Sequence, residues 1–264
     1  MRAACIQYPV VFGDFEANAR QVRALLAEGP APDLVVLPEL AFSGYDFVDR
    51  GECAAHAEPF GAGPAAALLT ELAAAHGCTL IAGYAERARE GCYNAALCAL
   101  PDGTLHNYRK VHLFNREREI FLPGDAAPPV IETPHGRVGL MICFDWFFPE
   151  VARSLALRGA QVLAHPSNLV LPWCQRAMFA RCVENRVFAM TCNRIGTEER
   201  AGRALTFTGG SQILNPRGET LAAAPTDAAA RLDAEFSPAD ADDKSIAGLN
   251  DLFRDRRPEL CPGL

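Results

Sequence analysis

The sequence lacks the features that mark nucleic-acid-binding, membrane and secreted proteins. Its formal net charge is −7 and its pI is about 5.4, so it offers no basic footprint for DNA or RNA. No apolar run reaches the ~18 residues that a membrane-spanning helix needs. Acidic residues follow the first strand-like run closely, and no signal-peptide cleavage pattern is present. We therefore expect a soluble, cytoplasmic protein that binds neither nucleic acid nor membrane.

The cysteines are numerous but lack the spacing of a disulfide framework or a metal site. Such frameworks are a device of small secreted domains, whereas this chain has 264 residues and ten cysteines. No CxxC pair exists, and the six-residue separations of Cys92 from Cys98 and of His106 from His112 do not resemble a structural zinc site. We therefore expect reduced thiols and no metal or organic cofactor.

Short β-like runs alternate with amphipathic helical runs along the chain. Helices are predicted over 15–28, with Asp14 as N-cap, and over 64–76, 148–158 and 174–186. Strands are predicted at RAACIQY, LVVLP, TLIAGYA, RVGLMIC, QVLAHP and VFAMTCN, with a hairpin at YNAALCAL/TLHNYRK and a late β-region holding GGSQILNP and ARLDAEF. This order indicates a single α/β domain with mixed sheets. Loops are predicted at 51–63 and 196–204.

Reactive side chains follow four of the predicted strands, where α/β sheets usually bind ligands. They are Glu39, Lys110, Cys143 and His165. Taken singly, each has an ordinary interpretation as a solvated acid, a surface charge or a core residue. Together, a glutamate, a lysine and a cysteine supply what one reaction needs, namely attack on an unactivated carbon–nitrogen bond.

The expected chemistry follows from the weakness of a neutral thiol as a nucleophile. Glu39 would take the proton of Cys143, return it to the departing amine and then activate water. Lys110 and the backbone N–H of Phe144 would stabilise the oxyanion. The lysine charge would also favour the thiolate, so we expect Cys143 to be accessible and to have a lowered pKa.

The motifs around these residues resemble those of the nitrilase superfamily, the carbon–nitrogen hydrolases. LVVLPEL, YRKVHLF and GLMICFDWFFPE look like the family's Glu, Lys and Cys segments, in the family's order. EREIFLPGD, RSLALRGAQVLAHPSN and RCVENRVFAMTCNRIG are similar to further family segments. The resemblance runs from about residue 2 to about residue 257. It covers nearly the whole chain.

The resemblance implies a four-layer α-β-β-α sandwich with mixed sheets. It also implies a homodimer, or an assembly of dimers, joined through the helices that follow the nucleophile. We expect one domain over 1–264, with 245–264 as a C-terminal tail packing on the dimer. Many members carry a further site glutamate six residues before a Pro-Gly. That register favours Glu117 over Glu119 as the partner of Lys110.

The substrate is predicted from the residues that follow the nucleophile. Dedicated nitrilases of the family commonly have Trp-Glu there, and carbamoyl-amino-acid hydrolases have arginines three and four positions on. This chain has Phe-Asp and Trp-Phe instead, which looks more like carbamoylputrescine amidases. A small amide or carbamoyl substrate is therefore favoured. The candidate substrate contacts are Phe144, Tyr45, Trp146, His165 and Asn168, with Phe42 and Trp173 as further possible wall residues.

Other functions are compatible with the same residues. A Cys–His hydrolase would use His165 or His112 as its base. A nitrilase acting on small aliphatic nitriles and an N-acyltransferase would share the first chemical steps. A non-catalytic thiol sensor on the same fold would need a resolving cysteine, and none lies close to Cys143 in the sequence.

Overall fold

The computed structural model of the chain describes residues 1–261. In chain order its strands are β1 (Arg2–Gln7), β2 (Leu34–Val36), β3 (Thr79–Arg87), β4 (Cys92–Ala99), β5 (Leu105–Arg109), β6 (Val130–Thr133), β7 (Gly136–Leu140), β8 (Val162–Pro166), β9 (Phe188–Cys192), β10 (Thr197–Arg200), β11 (Arg203–Thr206), β12 (Gln212–Leu214), β13 (Thr220–Ala223), β14 (Ala230–Glu235), β15 (Ser245–Ala247) and β16 (Asn250–Asp251). The α-helices are α1 (Phe15–Ala27), α2 (Arg50–His56), α3 (Pro64–His76), α4 (Glu117–Ile120), α5 (Pro149–Leu157) and α6 (Cys174–Asn185). Short 3₁₀ helices cover Cys143–Phe147, Pro238–Ala241 and Pro258–Leu260.

The strands form two six-stranded mixed sheets. The first has the order β14-β1-β2-β3-β4-β5, and the second has the order β13-β12-β9-β8-β7-β6. In the first sheet β1, β2 and β3 are parallel, and β4, β5 and β14 are antiparallel to their neighbours. In the second, β7, β8 and β9 are parallel.

Alternate residues of the first sheet face different layers, because successive side chains of a strand point to opposite faces. Cys5 and Val36 belong to the core that the two sheets share, together with α5 and α6. Ile6 and Val35 face the opposite way, into the core beneath α1 and α3. The result is the predicted four-layer α-β-β-α sandwich.

The boundaries of the predicted helices agree closely with those observed. Asp14 caps α1, since its carboxylate accepts the N–H of Ala17 at 2.9 Å. α3 ends at Gly77, whose φ of 64° is the left-handed conformation that terminates many helices. No helix within residues 1–261 is both long and apolar enough to cross a bilayer.

Two regions predicted as loops are regular structure. The segment 51–63 begins with most of helix α2, and the segment 196–204 contains β10 and the start of β11. Asp49 caps α2, because its carboxylate accepts the N–H of Glu52 at 2.8 Å. β10 and β11 form a two-stranded hairpin outside both large sheets.

The last described residues fold back onto their own chain. Phe253 packs against the core shared by the sheets, and the guanidinium of Arg153 lies 5.4 Å from its ring centroid. Lys244 just before this tail donates to the carbonyls of Asn185 and Arg186 at 3.0 and 2.9 Å. Residues 262–264 of the predicted tail lie outside the described residues, and its packing on a dimer stays a prediction.

Candidate active site

One edge of the first sheet collects the polar residues of the site. β2 and β3 end at this edge, and the antiparallel strand β4 begins there. β5 returns to the same edge, where the N–H of Lys110 donates to the carbonyl of Asn94 at 2.8 Å. Glu39, Asn94 and Lys110 therefore converge although they lie far apart in sequence.

Lys110 is held between two carboxylates and is 0 % exposed. Its Nζ donates to Oε1 of Glu39 at 2.7 Å and to Oε1 of Glu117 at 2.8 Å. Burial by itself lowers the pKa of Lys110, but the charges of Glu117 and Glu39 outweigh it and raise the pKa. The lysine is therefore an ammonium ion with a fixed position.

The two oxygens of Glu39 have different environments. Oε1 accepts from Lys110 and, at 2.7 Å, from the side-chain amide of Asn94. Oε2 is buried and has no hydrogen-bond partner among residues 1–261. One oxygen thus anchors the side chain, and the other is available to a reacting proton.

Close backbone packing places Glu39 at this point. A Cβ built on Gly83 of β3 would lie 2.4 Å from Cα of Glu39 and 2.5 Å from N of Leu40. The N–H of Gly83 donates to the carbonyl of Pro38 at 3.0 Å, and its carbonyl accepts from Ala41 at 2.9 Å. Only a glycine lets the chain after β2 turn across β3 at this distance.

Cys143 is supplied by the second sheet. β7 ends at Leu140, and Cys143 begins the 3₁₀ helix, so the predicted strand RVGLMIC is three residues too long. The cysteine has φ of 38°, a conformation that costs a non-glycine residue about 1–3 kcal/mol and often occurs at functional sites. Gly139 of β7 permits close packing, since a Cβ there would lie 3.1 Å from side-chain atoms of Leu155 and Ala160.

The thiol of Cys143 is buried, contrary to the expectation that it is accessible with a lowered pKa. It is 5 % exposed, and burial raises its pKa well above the usual value. Glu39 raises the pKa further, whereas Lys110 and the backbone N–H of Asn168 lower it. The desolvation of the thiolate outweighs the lysine charge, so the resting thiol is protonated and needs a base.

Asp145 holds the turn that carries Cys143. Its Oδ2 accepts from the N–H of Ile142 at 2.9 Å and from the hydroxyl of Tyr108 at 2.8 Å. Its Oδ1 lies 2.8 Å from Nδ1 of His112. Since Tyr108 belongs to β5 of the first sheet, this buried carboxylate links the nucleophile turn to the strand that precedes Lys110.

His165 supports the backbone of the cysteine rather than its sulfur. Its Nε2 lies 2.9 Å from the carbonyl of Cys143, and its Nδ1 lies 3.2 Å from Oγ1 of Thr191. Burial lowers the pKa of His165 to about 4, so the ring is neutral at neutral pH. This arrangement disfavours a Cys–His hydrolase, as does His112, which contacts Asp145 and stacks on Phe148.

Glu117 and Glu119 have opposite surroundings. Glu117 is buried, and its Oε1 accepts from Lys110 and, at 2.7 Å, from the hydroxyl of Tyr45. Burial raises the pKa of Glu117, with Lys110 opposing the rise. Glu119 is exposed and accepts from Arg116 at 3.1 Å. The structure therefore places Glu117 beside Lys110 and Glu119 at the surface.

The predicted substrate contacts do not all lie in the same part of the structure. Tyr45 lines a cavity of about 90 Å³ together with Glu117 and Phe114. The ring of Phe144 lies 5.0 Å from that of Phe114. Asn168 is buried, and its side-chain amide has no hydrogen-bond partner among residues 1–261.

The remaining aromatic candidates lie elsewhere. Trp146 is buried in the core shared by the two sheets, α5 and α6. Phe42 packs against Phe15 at 5.3 Å on the helical side of the first sheet, and Trp173 is exposed at the start of α6.

Sequence reasoning missed the roles of Asn94 and Asp145. Asn94 is a polar residue in the apolar run YNAALCAL, and a buried amide in such a strand needs a partner. That pattern is the signal that would have identified it. Asp145 lies in the cysteine motif, but its contact with Tyr108 depends on how the two sheets face each other.

No group of three or more His, Cys, Asp or Glu side chains within residues 1–261 could hold a metal ion. All ten cysteines are free thiols, nine of them buried and Cys261 exposed. The expectation that the protein needs no cofactor stays a prediction.

The four-layer fold and the adjoining Glu39, Lys110 and Cys143 define a thiol hydrolase of carbon–nitrogen bonds. Residues 2–243 match the carbon–nitrogen hydrolase family, to which this chain belongs. The chain is 43 % identical over 231 residues to a nitrilase from Pyrococcus abyssi, covering 86 % of this chain and 85 % of the relative. It is 34 % identical over 264 residues to an N-carbamoylputrescine amidase from Solanum lycopersicum, covering 91 % and 86 % of the two chains.

A solved structure of an amidase from Nesterenkonia sp. AN1 is similar over nearly the whole chain. It superposes with a TM-score of 0.79 at 26 % identity, covering 99 % of this chain and 98 % of the amidase. In that structure, of a glutamate-to-glutamine mutant, acrylamide has added to the active-site cysteine. The predicted family, fold and enzyme class, a thiol-dependent carbon–nitrogen hydrolase acting on amides, are confirmed.

Proposed function

We propose that Cys143 is the nucleophile, Glu39 the general base and acid, and Lys110 the oxyanion donor, with the N–H of Phe144 as a second donor. The observation that carries this proposal is that the two carboxylate oxygens of Glu39 have different environments. Its Oε1 is occupied by Lys110 and Asn94, and its Oε2 is buried with no partner among the described residues. A base of this kind keeps its position while it exchanges a proton.

The reaction begins when Oε2 of Glu39 takes the thiol proton and Sγ of Cys143 forms a bond to the carbonyl carbon. The electron pair of the C=O bond moves to oxygen, beside the Lys110 ammonium and the Phe144 N–H. Collapse of this intermediate breaks the C–N bond, and Glu39 gives the proton to the leaving nitrogen. A thioester and ammonia, or an amine, result.

Water completes the cycle at the same groups. Glu39 takes a proton from a water molecule while the water oxygen attacks the thioester carbon. The new oxyanion again lies beside Lys110. Collapse breaks the C–S bond, releases the acid and returns the proton to the sulfur of Cys143. The high pKa of this buried thiol favours its return to the neutral form.

Glu117 serves as the second counter-charge of Lys110. A buried ammonium needs opposite charge to remain ionised, and Glu117 supplies it without offering a free oxygen to substrate. Its Oε1 accepts from Lys110 and Tyr45, and its Oε2 accepts from the N–H of Phe114 at 3.0 Å. We therefore assign it a positioning role.

The substrate is a small amide or carbamoyl compound without a carboxylate. The cavity beside Glu117 holds about 90 Å³ and has Phe114, Val170 and Leu205 among its walls. Arg116 and Arg203 also line it, but both pair with the Asp46 carboxylate, at 3.5 and 3.0 Å, and Arg116 also pairs with Glu119 at 3.1 Å, so their charges are balanced. The relative from Solanum lycopersicum acts on a carbamoyl amine, which agrees with this class.

Ammonia release tests the proposal directly. The wild-type protein should release ammonia from acetamide, propionamide, butyramide or propylurea, and Cys143→Ala should release none while keeping the same thermal unfolding. Activity on propionitrile alone would replace the amidase with a nitrilase. Transfer of the acyl group to hydroxylamine in preference to water would indicate an acyltransferase. Full activity of Cys143→Ala would refute the assigned nucleophile.

We further propose that the enzyme is a cytoplasmic homodimer built through the face that follows the nucleophile. Four large apolar side chains are exposed in this part of the chain, and monomers rarely expose large apolar patches. They are Phe147, Leu157, Trp173 and Phe179, from the 3₁₀ helix to α6. The ten unpaired thiols agree with a reducing compartment.

A further inference from the structure

A second buried ion pair lies outside the Glu–Lys–Cys group. Arg194 is 1 % exposed, and its guanidinium donates to Oε1 of Glu198 and, at 2.7 Å, to the carbonyl of Val10. Glu198 is also buried and belongs to β10 of the outlying hairpin. Buried ion pairs contribute little net stability, because desolvation of both charges opposes their attraction. The position of this pair therefore calls for another explanation.

The Glu198 carboxylate accepts hydrogen bonds from the backbone of the segment that follows Glu39. Its Oε1 lies 3.1 Å from the N–H of Tyr45, and its Oε2 accepts the N–H of Asp46 at 2.8 Å. Two successive amides bound to one carboxylate fix the path of the chain at Tyr45, as charge-assisted hydrogen bonds are the stronger ones.

The same arginine also supports the Tyr45 ring. The guanidinium of Arg194 lies 4.1 Å from the ring centroid of Phe207, and the Phe207 ring meets the Tyr45 ring edge-on at 5.9 Å. Tyr45 is thus held at its backbone by Glu198 and at its ring by Phe207. The rest of its side chain reaches the candidate active site.

The hydroxyl of Tyr45 donates to Oε1 of Glu117 at 2.7 Å, and this is the oxygen that accepts from Lys110 at 2.8 Å. We propose that the Arg194–Glu198 pair is a positioning element of the enzyme, which acts through the Tyr45 hydroxyl to hold Glu117 against Lys110. This inference rests on the proposed roles of Lys110 and Glu117. It gives the outlying β10–β11 hairpin a function in turnover.

A double-mutant cycle between Glu198 and Tyr45 tests this link, because residues that act through one another show non-additive effects. Glu198→Gln keeps the shape of the side chain but replaces one accepting oxygen with a donor. Tyr45→Phe removes only the hydroxyl. With the amide that wild type hydrolyses fastest, each single variant should lower kcat roughly tenfold, the scale of a lost hydrogen bond to a charged group. Glu198→Gln should have less than about a twofold effect in the Tyr45→Phe background.

Glu199→Gln is the matched control, since Glu199 is the next residue of β10 and is exposed. It should leave kcat and thermal unfolding unchanged. If Glu198→Gln does not fold, Arg194→Lys probes the same link, because it keeps the charge but presents a single donor group in place of the guanidinium fork. Its loss of kcat should likewise vanish in the Tyr45→Phe background.

The outcomes separate this inference from the proposed function. Losses of kcat that multiply in the double variant would show that the pair does not act through Tyr45 and would overturn the inference alone. A wild-type protein that hydrolyses none of the amides or carbamoyl compounds would refute the proposed function, and the inference with it. A fall in unfolding temperature with unchanged kcat in Glu198→Gln would reduce the pair to a structural role.

Discussion

At the scale of single residues, the candidate site combines three buried charges in hydrogen-bond contact. Lys110 lies between Glu39 and Glu117, so two carboxylates share one ammonium ion. Burial and Glu39 both raise the pKa of Glu117, which shows that the excess negative charge is costly there. Lys110 lowers the pKa of Glu117, so the ammonium ion offsets part of this cost.

Replacing Glu117 by glutamine tests which glutamate the site uses. Glu117→Gln keeps the size of the side chain but removes the counter-charge of Lys110, so we expect kcat to fall at least tenfold with the fold intact. Glu119→Gln is the matched control and should remain near wild type, because Glu119 contacts Arg116 at the surface. Steady-state kinetics and thermal unfolding of both proteins check this. The reverse pattern would place Glu119 in the site instead.

His165 gives a pH-dependent prediction with a definite sign. Burial lowers its pKa to about 4 in the folded state, against about 6.5 when unfolded. A neutral buried histidine therefore favours the folded state above pH 6.5, and this contribution is lost as the pH falls toward 4. The unfolding temperature of wild type should exceed that of His165→Gln. This difference should be largest at pH 7.5 and should decrease steadily below pH 6.5. A gap that is constant with pH would contradict this.

The sequence is sufficient to predict the candidate catalytic residues, because one mechanism requires their three residue types. Glu39, Lys110 and Cys143 follow strand-like runs, and one mechanism needs all three. The environment of the thiol was not predictable, because it depends on how completely the two sheets cover Cys143. Desolvation then reverses the expected shift of its pKa.

At the scale of elements, the turn after β2 depends on one glycine of β3. A methyl group at Gly83 would lie 2.4 Å from Cα of Glu39, so Gly83→Ala must displace the backbone that carries the base. Misplacement by about 1 Å commonly costs on the order of 10² in rate, so kcat should fall on that scale.

Gly77→Ala separates this effect from general destabilisation. Gly77 has φ of 64° at the end of α3, and no atom lies within 4 Å of where its Cβ would be, so alanine should lower the unfolding temperature without changing kcat. Equal kcat values in Gly83→Ala and wild type would show that Glu39 does not need the close approach.

The missed elements carry weak or unusual local signals. α2 begins with a capping pattern, in which Glu52 follows Asp49 by three residues. The glycine at position 51 obscures this helix signal in the sequence. The β10–β11 hairpin turns at Ala201 and Gly202, both at positive φ. Asparagine or aspartate, rather than alanine, usually precedes the glycine of such a turn. Tertiary contacts through Glu198 and Arg203 with the segment after Glu39 fix this hairpin in place.

At the scale of the whole molecule, the site is assembled across two sheets. The first supplies Glu39 and Lys110, and the second supplies Cys143. The alternation of strands and helices predicts each sheet, and the family resemblance predicts how they stack. The sequence pattern alone does not give that stacking, because β-strand periodicity specifies which residues are buried but not which sheet covers them.

The apolar face around α6 predicts the assembly state. Phe179 is 53 % exposed on α6, and burial of such side chains drives most homodimer interfaces. We expect wild type to elute as a dimer with light-scattering mass near twice 28.5 kDa, and Phe179→Glu to shift toward the monomer because a carboxylate would be desolvated at the interface. Phe60→Glu is the matched control, since Phe60 is 45 % exposed in the segment before α3, and it should leave the mass unchanged. A monomeric wild type, or a dimer that Phe60→Glu disrupts and Phe179→Glu does not, would move the interface away from α6.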